Sequence, residues 1–377
     1  MQVPFNIPYV HGDELDNIAD AIHHRKLSGD GKYTKLCQDN LDVQLGVGRS
    51  FLTTSCTDAL EAAAILARIA PGDEVIMPSY TFVSTANAFA LRGARLRFAD
   101  SGNKNPNMDV NHVASLVSSR TKAICVVHYA GVAVDMDPIM AIAKRYNLKV
   151  IEDAAQGIAA QYKGRPLGTI GELSAFSFHE TKNINSGEGG ALHVNDPDLV
   201  ARAEIIREKG TNRSAFFRGE IDKYNWVDIG SSFLPSELIA AFLYAQLENI
   251  DKIQNKRHLI WNTYDQVLRP FARGGDFSTP DIPQWAGHNA HMYYLVVDSL
   301  STRTEFIQHL REHGASPAFH YQPLHQSEFF TRTNACSELP QATRYGDCLI
   351  RLPLFNDLEP SIAERIGEIC LDFFVGR

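Results

Sequence analysis

Between Leu173 and Asn195 the chain reads LSAFSFHETKNINSGEGGALHVN. A short apolar run through Ala175, Phe176 and Phe178 carries Ser177 and then Lys182 into a polar segment with Gly187, Gly189 and Gly190, and a second apolar run, Ala191 to Val194, leaves it. A lysine so placed can hold a phosphate as a point charge, or lose its proton in a shielded site and attack a carbonyl to form a Schiff base. A phosphate loop needs Gly-x-x-x-x-Gly-Lys-Ser/Thr ahead of a helix; here the glycines follow the lysine and lead into a strand. That points to carbonyl chemistry. The plain alternative is a solvated turn lysine, and this segment alone does not separate the two.

If the carbonyl belongs to pyridoxal phosphate (PLP), three further partners are required. The phosphate needs N–H groups at a helix N-terminus with hydroxyls beside them, which Ser55-Cys56-Thr57 ahead of the Asp58 helix would supply. The ring needs an aromatic face, from Phe82 or Tyr80. The ring nitrogen needs a carboxylate, and Asp153 follows the apolar Val150-Ile151, where it is expensive to bury without a partner. Glu152 points to the other side of a strand of period two and is read as structural. Taken singly, Ser55 and Thr57 could merely cap a helix and Phe82 could be core.

The elements that must position these groups alternate. Strands are expected at Phe51 to Ser55, Glu74 to Met77, Arg95 to Phe98, Ala123 to Val127 and Lys149 to Ile151, and helices at Asp58 to Ile69, Ser84 to Leu91, Val110 to Val117 and Pro138 to Tyr146. This rhythm predicts an α/β fold with a mainly parallel sheet flanked by helices. Ligands in such sheets bind beyond the carboxyl ends of the strands. Those ends carry Ser55-Cys56-Thr57, Pro78 to Phe82, His128-Tyr129, Asp153 to Gln156 and Ser177. A first helix is expected from Glu14 to Arg25, before the Gly-rich loop Ser28 to Gly31. Glu237 to Leu268 reads as one long helix leaving a large domain, residues 1–250. The remainder, 251–377, reads as a smaller α+β domain with a loop from Gly274 to Gly287, a strand at His291 to Val297 and helices at Thr304 to His313, Ala342 to Ile350 and Ser361 to Phe374.

The bulk properties exclude other classes. In 377 residues, 36 Lys+Arg stand against 44 Asp+Glu, a net charge of -8 with no basic block, so nucleic acid has no electrostatic footprint. Six scattered cysteines, Cys37, Cys56, Cys125, Cys336, Cys348 and Cys370, lack zinc spacing and are expected as reduced thiols. No signal-like segment or membrane-length apolar run is present, which predicts a cytoplasmic protein with no membrane partner. No metal is expected: His11, His23 and His24 lack partners at ligand spacing.

The motifs PGDEVIMPSYTFVSTANA (Pro71 to Ala88), VIEDAAQG (Val150 to Gly157), FSFHETKN with GEGG (Phe176 to Gly190) and FHYQPLH (Phe319 to His325) resemble the DegT/DnrJ sugar-nucleotide aminotransferases, of fold-type I among PLP enzymes, in order over nearly the whole chain. The resemblance implies that Lys182 binds PLP covalently and that Asp153 partners the ring nitrogen. It likewise implies that Phe82 stacks on the ring, that Cys56, Thr57 and Ser177 serve the phosphate, and that Gln156 lies near the ring hydroxyl. It also implies a homodimer with shared active sites, in which a neighbouring subunit lends an Asn within Gly-x-Asn-Tyr-Arg. Here that stretch reads Gly230-Ser231-Ser232-Phe233-Leu234, so Ser232 would replace the Asn and Leu234 removes the Arg. Cys56 stands where Gly is commoner.

Further segments, among them SYTFVSTANAFALRGA, HYAGVA, AEIIREKGTNRS and DIGSS, resemble a branch that uses L-glutamate to aminate C4 of dTDP-4-keto-6-deoxyglucose. Its product is dTDP-4-amino-4,6-dideoxygalactose, for common antigen or lipopolysaccharide synthesis. The sugar side is then assigned to Gly29, Gly31, His320, Tyr321 and His325, and the diphosphate to Lys209 and Arg213; a strand end, a surface loop and a solvated basic face are the plain alternatives. Sister enzymes giving the gluco epimer or a 3-amino sugar share every motif. A dehydratase branch carries His at position 182 and is disfavoured by Lys. A non-catalytic PLP-binding regulator lacks its DNA-binding segment here, and an NAD-binding module lacks G-x-G-x-x-G after a first strand.

Overall fold

The computed structural model describes residues 2–272, 275–332, 334 and 338–375. Cys336 and Gly274 lie outside them; the five cysteines within them are free thiols.

The strands, in chain order, are β1 (Arg49–Thr53), β2 (Glu74–Pro78), β3 (Arg95–Ala99), β4 (Thr121–Val127), β5 (Lys149–Asp153), β6 (Gln161–Tyr162), β7 (Arg165–Pro166), β8 (Leu173–Ser177), β9 (Gly190–Val194), β10 (Phe277–Ser278), β11 (Ala286–Gly287), β12 (Tyr294–Val297), β13 (Ala318–Phe319) and β14 (Leu349–Arg351). Seven of them form one sheet in the order β1-β9-β8-β5-β4-β2-β3. β3, β2, β4, β5 and β8 run parallel; β9 pairs antiparallel with both β8 and β1. The single reversal arises because β8 and β9 are joined by the tight Lys182 turn rather than by a crossover helix.

The central strands are buried on both faces. Along β4, Ala123 and Cys125 pack into one core while Ile124 and Val126 pack into another, with the helices Val110–Leu116 and Met136–Tyr146 covering the second. The same alternation on β5 sends Ile151 and Val150 to opposite sides and separates Glu152 from Asp153. Glu152 is fully buried. Its carboxylate meets His128 Nε2 at 2.9 Å and accepts the N–H groups of Gly168, Ile170 and Gly171, a structural role as expected.

A four-stranded antiparallel sheet, β10-β12-β14-β13, follows later in the chain, and β10, β12 and β14 pack into the same continuous core as the helix Cys56–Leu66. Four elements differ from expectation, the first being the expected loop Gly274 to Gly287, which carries β10 and β11. The segment Glu237 to Leu268 is two helices, Glu237–Glu248 and Ile250–Leu268. Asn249 leaves helical geometry (φ -107, ψ 15), and its amide bonds the Ala245 carbonyl at 2.9 Å, a local competitor for the helix ladder. An unanticipated helix, Lys32–Leu45, buries Tyr33, Cys37, Leu41 and Leu45, a repeat of four along one face. The expected helix end at Ile350 is instead β14, held between β12 and β13.

Candidate active site

The turn after β8 folds back on itself through main-chain bonds: Phe178 N–H to Gly189 O, Glu180 N–H to Gly187 O and Ser186 N–H to Phe178 O, all 2.8 Å. Lys182 stands in this turn at the wall of a cavity of about 730 Å³. Burial pushes its ammonium below the usual lysine range, and the Arg351 charge adds to the effect; Cys56 and Asp153 oppose it. A lysine so placed is easier to deprotonate and therefore more nucleophilic.

Asp153, at the carboxyl end of β5, lines the same cavity. It accepts Thr85 Oγ1–H at 2.7 Å and the Ala155 N–H at 3.1 Å. Burial nonetheless raises its pKa, with those two bonds and the Lys182 and His128 charges pulling the other way. It is a carboxylate with room for a cationic partner.

The helix Cys56–Leu66 starts where β1 ends. Its sequence, CTDALEAAAIL, is rich in strong formers, and the Ser55 hydroxyl caps it by accepting the Asp58 N–H at 3.1 Å. The amides of Cys56 and Thr57 have no acceptor within the helix and sit at its positive end. Thr57 Oγ1 meets Ser84 Oγ at 2.7 Å, and both side chains line the cavity. The Cys56 thiol is pushed well up by burial, with the Asp153 charge adding, so this residue contributes a backbone donor rather than a thiolate. Gly190 on β9 makes the arrangement possible: a Cβ there would stand 2.4 Å from Cys56 N and 2.5 Å from Ser55 O.

Phe82 precedes the helix Val83–Ala90 and is 55% exposed, its ring free on the cavity side and 6.1 Å from that of Tyr321. Tyr80, the alternative platform, is buried among Tyr129, Tyr321 and Tyr345. Gln156 accepts the Ala130 N–H at 2.6 Å and donates to Tyr321 OH at 2.9 Å. Ser177, His320 and Tyr321 complete this wall. His320 stacks on Tyr321 at 3.6 Å and meets Tyr129 OH through Nδ1 at 2.7 Å; burial holds its imidazole well below the usual range, hence neutral.

Nine of the sequence-derived residues thus share one cavity: Cys56, Thr57, Phe82, Asp153, Gln156, Ser177, Lys182, His320 and Tyr321. Others do not. Gly29, Lys209, Arg213 and Ser232 line a second cavity of about 850 Å³. Lys209 and Arg213 both reach Glu208 there, at 3.2 and 3.4 Å. Gly31 is bound through its N–H to Glu237 at 3.0 Å, and a Cβ on it would collide with that carboxylate, so its smallness is structural. His325 is not among the residues lining the Lys182 cavity; it is buried with Nδ1 on Ser79 Oγ at 2.7 Å.

Sequence reasoning missed Ser84, Thr85, His291 and Arg351. Ser84 and Thr85 were legible as hydroxyls at the start of a helix that follows a parallel strand. Neither His291 nor Arg351 stands in a motif.

The residues fit PLP: a lysine of lowered pKa, a buried carboxylate with no ion pair among the described residues, a capped helix N-terminus with spare amides and hydroxyls, and an open aromatic face converge on one volume. Among the described residues no group of three or more His, Cys, Asp or Glu is placed to hold a metal ion, and no helix is long and apolar enough to cross a membrane.

Comparison with known proteins agrees with this chemistry. The profile of the DegT/DnrJ/EryC1/StrS aminotransferase family matches residues 8–370. GDP-perosamine synthase of Caulobacter vibrioides is 32% identical over 363 residues, 95% of each chain. UDP-4-amino-4-deoxy-L-arabinose--oxoglutarate aminotransferase of Shewanella sediminis is 29% identical, over 97% of this chain and 96% of its own. Among solved structures, the aminotransferase TlmJ from Streptoalloteichus hindustanus superposes with a TM-score of 0.91 at 28% identity, covering all of both chains.

Proposed function

The chain belongs to the DegT/DnrJ/EryC1/StrS aminotransferase family, a family of PLP-dependent sugar aminotransferases, and we propose that it moves the amino group of L-glutamate to C4 of dTDP-4-keto-6-deoxyglucose. The products are dTDP-4-amino-4,6-dideoxygalactose and 2-oxoglutarate. The observation that carries the catalytic part is the meeting of Lys182, Asp153 and the Cys56–Leu66 helix N-terminus in one cavity. The dTDP-sugar rests on the segments SYTFVSTANAFALRGA, HYAGVA, AEIIREKGTNRS and DIGSS; the two relatives above are named for GDP- and UDP-sugars.

When bound, PLP supplies a carbonyl carbon that carries the amino group and a ring that draws electrons from the reacting carbon. In this reading Asp153 holds the ring nitrogen protonated, the Cys56 and Thr57 amides with Thr57, Ser84 and Ser177 hydroxyls hold the phosphate, and Phe82 covers one ring face. Gln156 lies by the ring hydroxyl. Lys182 Nζ would hold the cofactor's carbonyl carbon and would carry the proton to and from the substrate carbon, a role worth roughly 10² to 10⁴ in rate. Residues 1–250 hold the cofactor and 251–377 form a smaller domain closing over it. The enzyme works in the cytoplasm as a homodimer. Each subunit turns the cavity with Gly29, Lys209, Arg213 and Ser232 toward its neighbour, where Ser232 reaches the phosphate and the two cations face the diphosphate.

The test is incubation with PLP, L-glutamate and dTDP-4-keto-6-deoxyglucose, with the product's configuration read by NMR. An amine at C4 in the galacto configuration is expected. A gluco product or a 3-amino sugar would move the protein to a sister activity, and an untouched keto sugar would remove the substrate assignment.

A further inference from the structure

Two threonines stand in line behind Asp153. Thr85 Oγ1 lies 2.7 Å from Asp153 Oδ2, and Thr81 Oγ1 lies 2.8 Å from Thr85 Oγ1. Both threonines are buried. A hydroxyl carries one hydrogen. Thr85 gives its hydrogen to the carboxylate, so it accepts from Thr81, and both O–H dipoles point toward Asp153. The other carboxylate oxygen, Oδ1, accepts the Ala155 N–H at 3.1 Å. A helical threonine commonly bonds a carbonyl three or four residues back; Thr85 bonds a distant carboxylate instead. The helix that carries it, Val83–Ala90, also has Phe82 at its N-cap and Ser84 in its first turn, and both of these line the Lys182 cavity.

A carboxylate buried without an ion pair tends to take up a proton. Burial raises the Asp153 pKa, and the largest influence against it is the Thr85 hydroxyl, ahead of the Ala155 N–H and the Lys182 and His128 charges. The Cys56 and Cys125 thiols and the Tyr321 phenol also feel Asp153, but burial pushes all three up, with the Asp153 charge adding, so they bring no charge of their own. Resting on the aminotransferase reading above, we propose that Thr85, backed by Thr81, is a positioning residue that keeps Asp153 ionised and fixed in orientation, so that the proton between Asp153 and the cofactor's ring nitrogen stays on the nitrogen. Two arrangements compete there: a carboxylate facing a protonated nitrogen, and a neutral carboxyl facing an unprotonated one. Hydrogen bonds donated to the charged carboxylate stabilise only the first. One such bond to a buried charge shifts the balance by roughly tenfold to a hundredfold, and a second hydroxyl in line strengthens it.

The experiment loads wild type, Thr85→Val, Thr85→Ser and Thr81→Val with PLP isotopically labelled at the ring nitrogen and reads the nitrogen's NMR signal, which separates a protonated ring from an unprotonated one. Affinities for PLP and for an analogue with CH in place of the ring nitrogen are measured alongside, with kcat and KM for L-glutamate. Thr85→Val keeps the side chain's shape and removes the hydroxyl. It should move the signal toward the unprotonated ring, weaken PLP by about tenfold and leave the analogue's affinity at the wild-type value. It should also lower kcat by about tenfold or more with KM little changed. Thr85→Ser should recover all of these, and Thr81→Val should move the signal the same way by less. A role in packing alone would weaken PLP and the analogue together and leave the nitrogen signal in place, and either result in Thr85→Val overturns the proposal. Should Thr85→Val not fold, Thr81→Val decides through the same signal, and an unmoved signal overturns the proposal. A wild-type ring nitrogen that is itself unprotonated would overturn it through the reading of Asp153 on which it rests, and wild type alone reveals that outcome.

Discussion

At the residue scale the telling feature of Lys182 is how its surroundings are divided. Burial and the Arg351 charge disfavour the ammonium; Cys56 and Asp153 favour it; burial wins. A depressed amine pKa means the neutral, nucleophilic form appears at lower pH than for a free lysine, so the rate of cofactor capture by the apoprotein rises with pH and levels off above the depressed value. The expected half-maximal rate therefore lies below pH 10.5, the ordinary lysine value. Stopped-flow absorbance of PLP uptake across a pH series measures it, and a midpoint at or above 10.5 would contradict the burial argument. The sequence made Lys182 and Asp153 legible because each breaks a local rule: a polar group where an apolar strand ends has to be explained. Arg351 broke no such rule. Its neighbours Leu349, Ile350 and Leu352 continue an apolar pattern that also reads as the tail of a helix, and that it lines the cavity with no carboxylate paired to it among the described residues is visible only in three dimensions.

At the element scale the site depends on how closely β9 approaches the first turn of the helix Cys56–Leu66. Gly190 sits at that approach. Adding one methyl there meets backbone atoms of Ser55 and Cys56 at 2.4 to 2.5 Å, with no flexible side chain to yield. Overpacking of this kind costs about 1–3 kcal/mol, and the strain is relieved by moving the helix start, which is the phosphate cradle. Gly190→Ala is thus expected to weaken PLP affinity by about tenfold or more, since 1.36 kcal/mol is a factor of ten, and to lower the denaturant midpoint. Gly102→Ala, whose Cβ would meet nothing nearer than 3.4 Å, is the control and should leave both unchanged. A Gly190→Ala protein that binds PLP like wild type would show that the cradle lies elsewhere. The alternating strands and helices were readable because buried parallel strands are continuous apolar runs. The helix Lys32–Leu45 escaped because its outward face is polar and its apolar positions are four apart, and the break at Asn249 escaped because a single asparagine competes for the backbone without altering the apolar period.

At the scale of the whole molecule, two cavities divide the sequence-derived residues between them, and one chain does not bring Ser232 to Lys182. No pattern in a sequence states which residues serve the site of another copy; the assignment of Ser232 came through resemblance alone. The surface around the second cavity is consistent with a neighbour, since Phe217, Trp226, Val227 and Ile229 are all exposed, with Trp226 81% accessible. Large apolar groups clustered this way mark an interaction site more often than a free surface. If the neighbour is a second copy that completes the phosphate site, two inactive variants should rescue one another. Lys182→Ala abolishes its own cavity's chemistry, and Ser232→Glu sets a negative charge against the partner's phosphate. A mixed dimer of the two then has one site with both lesions and one site with neither. Random assortment of equal amounts makes half the dimers mixed, with one good site in each, so about a quarter of wild-type activity is expected after co-refolding or co-expression. Activity that stays at the level of the separate variants would mean that the site is contained within one chain, and Ser232 would then belong to the second cavity alone.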